Sequence, residues 1–217
     1  MRAVIFDCDG VLVDSERLAA PILADTLTEL GLPTTAENVD RDFKGRSWEH
    51  GLEVIRARLG AEPWPELRER YRTALFAAFD AQLAPIPGVA GALDALDAAG
   101  VAYCVASSGD HERIRRGLRA ADLLDRFPAA AIFSVDDVAH GKPAPDLFVH
   151  AAASMGFDPA HTVVVEDSLA GVQAGVAAGM RVLGFASDGQ DPAVLSSAGA
   201  EPFDDMAALP RMLTEKA

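Results

Sequence analysis

A chain of 217 residues, half of them hydrophobic, can bury a substantial core without disulfides or a structural metal. Its formal charge of −14, from 33 acids against 19 lysines and arginines, repels nucleic acid and anionic lipid, so neither is an expected partner. Any anion it binds must meet a locally positive site. No apolar run approaches the ~20 residues that span a bilayer, and Asp7 interrupts the N-terminal apolar run too early for a secretory signal. The expectation is a cytoplasmic protein. No heptad or apolar stripe calls for a partner subunit, so a monomer is expected. Cys8 and Cys104 sit inside apolar runs and read as small buried hydrophobes.

In chain order, the run AVIFD from residue 3 reads as a first strand. Helical spacing alone then governs residues 16–30, 47–59 and 65–79, with Asp14 or Ser15 as a cap and Gly31 as a stop. Residues 80–87 (DAQLAPIP) read as a linker. Strands then alternate with helices. The runs VAYCVAS from 101, AIFSV from 131, TVVVED from 162 and RVLGF from 181 are separated by helical patterns at 89–99, 113–124, 145–155 and 169–178. Near-continuous apolar strands between helices imply a doubly wound parallel α/β sheet covered on both faces. The all-helical stretch interrupts it as an insert. The expected division is 1–14 with 86–217 as the α/β core and 15–85 as a helical cap.

Four polar clusters close the strands or the loops after them: Asp7-Cys8-Asp9-Gly10, Ser107-Ser108-Gly109, Gly141-Lys142-Pro143 and Glu166-Asp167-Ser168. In a doubly wound sheet these ends meet at one edge, where ligands bind. Asp7 and Asp9 lie two apart and point the same way in extended chain, so a cation must offset their repulsion. With Glu166 and Asp167 they make a hard-oxygen set suited to Mg²⁺. A carboxylate nucleophile such as Asp7 forms an acyl phosphate, and a second acid such as Asp9 protonates the leaving oxygen and later activates water. Gly10 lets the chain turn beneath them. Ser107 can donate its hydroxyl to a phosphate oxygen, and the backbone N–H groups at Ser108 and Gly109 are expected to open the next helix as an anion site. Only three lysines stand against sixteen arginines, so Lys142 suggests a need for a compact point charge. The series Gly171, Gly175, Gly179 has the wrong spacing for a nucleotide loop and reads as close helix packing.

Together these four clusters, in this order, resemble the motifs of the haloacid dehalogenase superfamily. The helical insert resembles the cap of the subgroup that holds β-phosphoglucomutase and many sugar-phosphate phosphatases. The resemblance implies a Rossmann-like core and a Mg²⁺-dependent phosphatase acting on a small-molecule phosphate ester. Asp7 would be the nucleophile, Asp9 the acid/base, and Ser107 and Lys142 the phosphoryl holders. Mg²⁺ would sit on Asp7, the Asp9 backbone carbonyl and Asp167, with Glu166 beside it. The segment 43–47 resembles the family's specificity loop, so Lys44, Gly45 and Arg46 are expected to contact the substrate's distal groups. β-Phosphoglucomutases carry a histidine where this chain has Ala19, which favours hydrolysis over the mutase alternative. A receiver-like module storing phosphate on an aspartate is the alternative of another class; receivers have no helical insert after the first strand.

Overall fold

The computed structural model describes residues 3–43, 48–186 and 191–214. The chain forms two compact units: Met1–Asp14 together with Ala84–Ala217, and Ser15–Leu83. Strand β1 (Ala3–Phe6) opens the first unit. The second unit follows directly and holds α1 (Glu16–Glu29), α2 (Ala36–Phe43), α3 (Trp48–Leu59) and α4 (Leu67–Gln82).

The helical unit has a core of its own. Leu23 and Leu27 of α1, one turn apart, join Val39, Ile55 and Leu67 in a buried cluster. Trp48 stacks on Tyr71 beside it, with ring centroids 5.7 Å apart. Gly31 ends α1 at φ +97°, a backbone state that costs glycine little. Ser15 stands at the N-cap of α1, but its side chain makes no capping hydrogen bond. Helix α2 was not expected from the sequence. It is short and mostly polar, and it is started by a reciprocal pair. The Asn38 N–H donates to Thr35 Oγ1 at 3.3 Å, and the Thr35 N–H donates to Asn38 Oδ1 at 3.4 Å.

The α/β unit continues with α5 (Val89–Ala98), β2 (Tyr103–Ser107), α6 (His111–Ala120), β3 (Ile132–Ser134), α7 (Asp146–Met155) and β4 (Thr162–Glu166). It closes with α8 (Leu169–Ala177), β5 (Arg181–Phe185), α9 (Pro192–Ser197), β6 (Glu201–Phe203) and α10 (Leu209–Thr214). Among the described residues one sheet forms, in the order β3-β2-β1-β4-β5-β6, with every neighbouring pair parallel. This is the expected doubly wound α/β architecture with an inserted helical domain, and the chain reverses its direction of travel between β1 and β4. Alternate residues pack to opposite faces. Ile5, Cys104 and Val164 share one face with Leu147, Phe148 and Ala151 of α7 and Val172 of α8. Phe6 faces away from Ile5 and meets Tyr103 edge-on, with centroids 6.1 Å apart.

Two differences from the sequence expectation in this unit have local causes. Helix α6 starts two residues early because Asp110 caps it, accepting the Arg113 N–H at 2.8 Å, and Asp122 at φ +56° stops it short of 124. Strand β6 was missed because it is only three residues long with Pro202 in the middle. An edge strand tolerates proline, since one side of its ladder is unused. Arg181 secures that edge, its Nε and Nη2 donating to Glu201 at 2.7 and 2.6 Å and its Nη1 to the Met212 carbonyl at 3.0 Å. In the glycine series, Gly175 does serve packing: a Cβ there would lie 2.7 Å from Val182 and 3.4 Å from Val164 of the sheet.

Candidate active site

The sheet register sets the site. Phe6 pairs with Val105 on one side and Val165 on the other, so Asp7, Ser107 and Glu166 emerge from adjacent strand tips on the central side of the sheet. The Asp7 N–H still donates to the Val165 carbonyl at 2.9 Å, which extends the ladder to the residue that carries the carboxylate.

Lys142, from the loop between β3 and α7, ties these tips together. Its Nζ donates to Asp7 Oδ1 at 2.5 Å, Glu166 Oε1 at 2.7 Å and the Ala106 carbonyl at 3.0 Å. Those acceptors belong to the ends of β1, β4 and β2. An ammonium has three donors on one compact centre, which suits three acceptors in different directions better than a planar guanidinium would. The Lys142 side chain is 3% exposed. Burial alone would lower its pKa, but the Asp7 and Glu166 carboxylates outweigh that and hold it above the ordinary lysine range. Asp7 behaves in the opposite sense. Burial pushes its carboxyl up to about 7, Lys142 opposes this, and Glu166 and Asp9 add to it.

Glu166 has protein partners on both carboxylate oxygens. Oε1 is taken by Lys142, and Oε2 accepts from the Ser168 N–H at 2.7 Å and the Ser168 hydroxyl at 2.9 Å. Its carboxylate therefore orients Lys142 and the start of α8. Gly171, in the first turn of α8, makes room for it: a Cβ there would fall 1.7 Å from Glu166 Oε1. Gly171→Ala is therefore expected to destabilise the protein even though alanine favours a helix by about 1 kcal/mol, because overpacking costs about 1–3 kcal/mol and sometimes more. Gly91 on α5, with nothing within 4 Å of its Cβ position, should show only the gain. Thermal melts should move in opposite directions; equal upward shifts would show that Glu166 has room to spare.

The loop after β1 turns tightly, with the Gly10 N–H donating to the Val13 carbonyl at 2.9 Å. Gly10 has φ +80°, and a Cβ there would lie 2.3 Å from Asp167 Oδ2, so the buried Asp167 carboxylate rests against the backbone that follows Asp9. Asp9 turns its side chain to Arg113. Ser107 is 1% exposed and its Oγ accepts the Gly109 N–H at 3.1 Å, leaving the hydroxyl proton as a donor. The helix does not open at Ser108 and Gly109 as expected: the Gly109 N–H is spent on Ser107, Ser108 is exposed, and Asp110 takes the capping position. Lys44, Gly45 and Arg46 lie outside the described residues.

The residues missed by sequence reasoning are supports. Arg113 grips Asp9, Ser168 holds Glu166, and Ser134 donates its hydroxyl to the Gly109 carbonyl at 2.8 Å. Ser168 lies in the cluster Glu166-Asp167-Ser168, and the pattern Asp110-x-x-Arg113 soon after Ser107 hinted at a helix start.

A hard divalent cation suits this donor set. The Asp7, Asp9 and Asp167 carboxylates bring hard oxygens to one sheet edge, with Lys142 against Asp7 and Arg113 against Asp9. Among the described residues no three His, Cys, Asp or Glu side chains form a metal cluster of their own. Backbone oxygen would have to complete the shell, and the contact between Gly10 and Asp167 brings backbone to a carboxylate.

Comparison with known proteins agrees with the fold. The family profile described as haloacid dehalogenase-like hydrolase matches residues 1–179. The 6-phosphogluconate phosphatase of Escherichia coli (strain K12) is 33% identical over 197 residues, 87% of this chain and 84% of that protein. Hexitol phosphatase B of the same organism is 31% identical over 184 residues, 82% of this chain and 81% of that protein. A HAD family hydrolase from Deinococcus radiodurans R1, solved with bound phosphate and sodium, matches with a TM-score of 0.80 and 32% identity, covering 100% of this chain and 99% of that one. This chain belongs to the haloacid dehalogenase-like hydrolases and is an enzyme. Among the described residues no helix is long and apolar enough to cross a membrane.

Proposed function

We propose that the chain hydrolyses the phosphate monoester of a small sugar or polyol, passing the phosphoryl group first to Asp7 and then to water. The observation that carries this reading is the buried Lys142 held against Asp7 at the tip of the central strand, a cation beside a carboxylate at the sheet edge. The phosphatase names of two relatives support the substrate class.

In this reading the Asp7 carboxylate attacks phosphorus, and the bond to the leaving oxygen breaks as that oxygen takes a proton from Asp9. Asp9 then takes a proton from water as the water oxygen bonds phosphorus, and the acyl phosphate bond returns its electron pair to Asp7. Lys142, the Ser107 hydroxyl, and the backbone at Gly10 and Ser108 hold the phosphoryl oxygens. Asp7, the Asp9 backbone carbonyl and Asp167 would hold Mg²⁺, which supplies positive charge where two anions must meet. Glu166 keeps Lys142 aimed rather than joining that shell. Choice among esters is assigned to Lys44, Gly45 and Arg46, with residues 15–85 as the cap, and the enzyme would act as a cytoplasmic monomer.

A panel of phosphate esters tests this. Phosphate release should appear with Mg²⁺, vanish with EDTA, return on adding Mg²⁺, and be fastest for sugar or polyol phosphates. Absence of release from every ester, or release indifferent to EDTA, would overturn it. Interconversion of a sugar 1- and 6-phosphate without net phosphate would instead make the chain a mutase.

A further inference from the structure

An acid/base group works only when it is aimed, and the aim of Asp9 comes from 104 residues further along the chain. Arg113 Nε donates to Asp9 Oδ2 and Arg113 Nη2 to Asp9 Oδ1, both at 3.1 Å, a two-point contact that fixes the plane of the carboxylate as well as its position. The guanidinium is itself constrained. The Arg113 backbone N–H is held by Asp110 at 2.8 Å in the first turn of α6. Its stem runs back along Gly109, where a Cβ would lie 3.1 Å from Arg113 Cδ. That loop is pinned in turn by the Ser134 hydroxyl on the Gly109 carbonyl at 2.8 Å. The loop after β2 thus provides a rigid holder for the acid on the loop after β1.

We infer that Arg113 is the positioning residue of Asp9 for the half-reaction in which water attacks phospho-Asp7. The inference rests on the acid/base role proposed above for Asp9. A fork of two N–H donors that meets both oxygens of the Asp9 side chain fixes where each of them points. In that step a water O–H bond breaks and its proton passes to Asp9. The water oxygen bonds phosphorus, and the P–O bond to Asp7 breaks with its electron pair returning to the Asp7 carboxylate. Arg113 gains and loses nothing; it keeps the acceptor oxygen where the water must be.

p-Nitrophenyl phosphate with Mg²⁺ separates the two half-reactions, because p-nitrophenolate leaves without a proton and its first turnover reports capture by Asp7 alone. Arg113→Gln should give a first-turnover burst near one per protein molecule, followed by a steady state about 10–100-fold slower than the parent enzyme, part of what a general base supplies. The burst counts folded, competent sites, so misfolding cannot imitate this result. Arg113→Lys, which keeps the charge without the two-point fit, should restore only part of the rate; full restoration would overturn the positioning role. A burst and steady state that fall in proportion would also overturn it, leaving Arg113 a merely structural or binding residue. Asp9→Asn should stall in the same way, and adding Arg113→Gln to it should slow it no further. If Asp9→Asn turns over at the parent rate, the proton role of Asp9 fails and the inference falls with it. If Asp9→Asn stalls but Arg113→Gln does not, or if the two losses multiply, the inference alone falls.

Discussion

Asp7→Asn is expected to abolish phosphate release, by on the order of 10⁴-fold or more, the scale on which removal of a covalent nucleophile acts. Asparagine has almost the shape of aspartate but cannot form the acyl phosphate. Stability should change little. Burial already opposes a charge on Asp7, so exchanging it for a neutral amide relieves a desolvation cost while it weakens the contact with Lys142. A thermal midpoint within a few degrees of the parent would make the loss chemical rather than structural. Mg²⁺ should raise the midpoint of the parent protein and raise that of the variant much less, since a ligand stabilises only the state that binds it. Labelled phosphate should be captured covalently on the parent chain and not on the variant. Undiminished release from Asp7→Asn would place the nucleophile elsewhere.

Lys142→Met should be the most destabilising single change in the α/β unit. It leaves Asp7 and Glu166 side by side, buried and without their cation, and breaking one partner out of a buried ion pair costs about 3–5 kcal/mol. For a chain of this length each kcal/mol lowers the melting temperature by about 2–4 °C, so a fall on the order of 10 °C is expected. Adding Glu166→Gln should recover part of the loss by removing one stranded charge, a non-additivity that a double-mutant cycle would read. On the proposed mechanism activity should stay low in both, since Lys142 is the point charge assigned to the phosphoryl group. A melt within 1 °C of the parent would mean that the strand tips are held by something other than this lysine.

The strands and the acids at their tips could be read directly, because buried parallel strands leave continuous β-branched runs such as Val163-Val164-Val165 and the tips interrupt them with carboxylates. Elements with weak apolar signals were hidden: Glu201-Pro202-Phe203 has no such run, and α2 has only Val39 as a buried residue. At the site, Asp7, Ser107 and Lys142 stood out by position or rarity. Arg113 did not, being one of sixteen arginines and meeting Asp9 only through the fold. Spacing shows where the Glu166 carboxylate lies along the chain but not which donors surround it; Lys142 and Ser168 supply them here.

Strand β1 occupies the middle of the sheet, yet its partners lie about a hundred residues and about 160 residues downstream on β2 and β4. As the chain leaves the ribosome, the segment 15–83 can collapse around Leu27 and Ile55 while Ala3–Phe6 still lacks both neighbours. The strand that leads into Asp7 is thus made well before either of its neighbours, and such long-range pairing makes for slow assembly. During that wait an unprotected apolar strand is a hazard for self-association. A net charge of −14 opposes such contacts, because like-charged copies repel one another while β1 still lacks its neighbours.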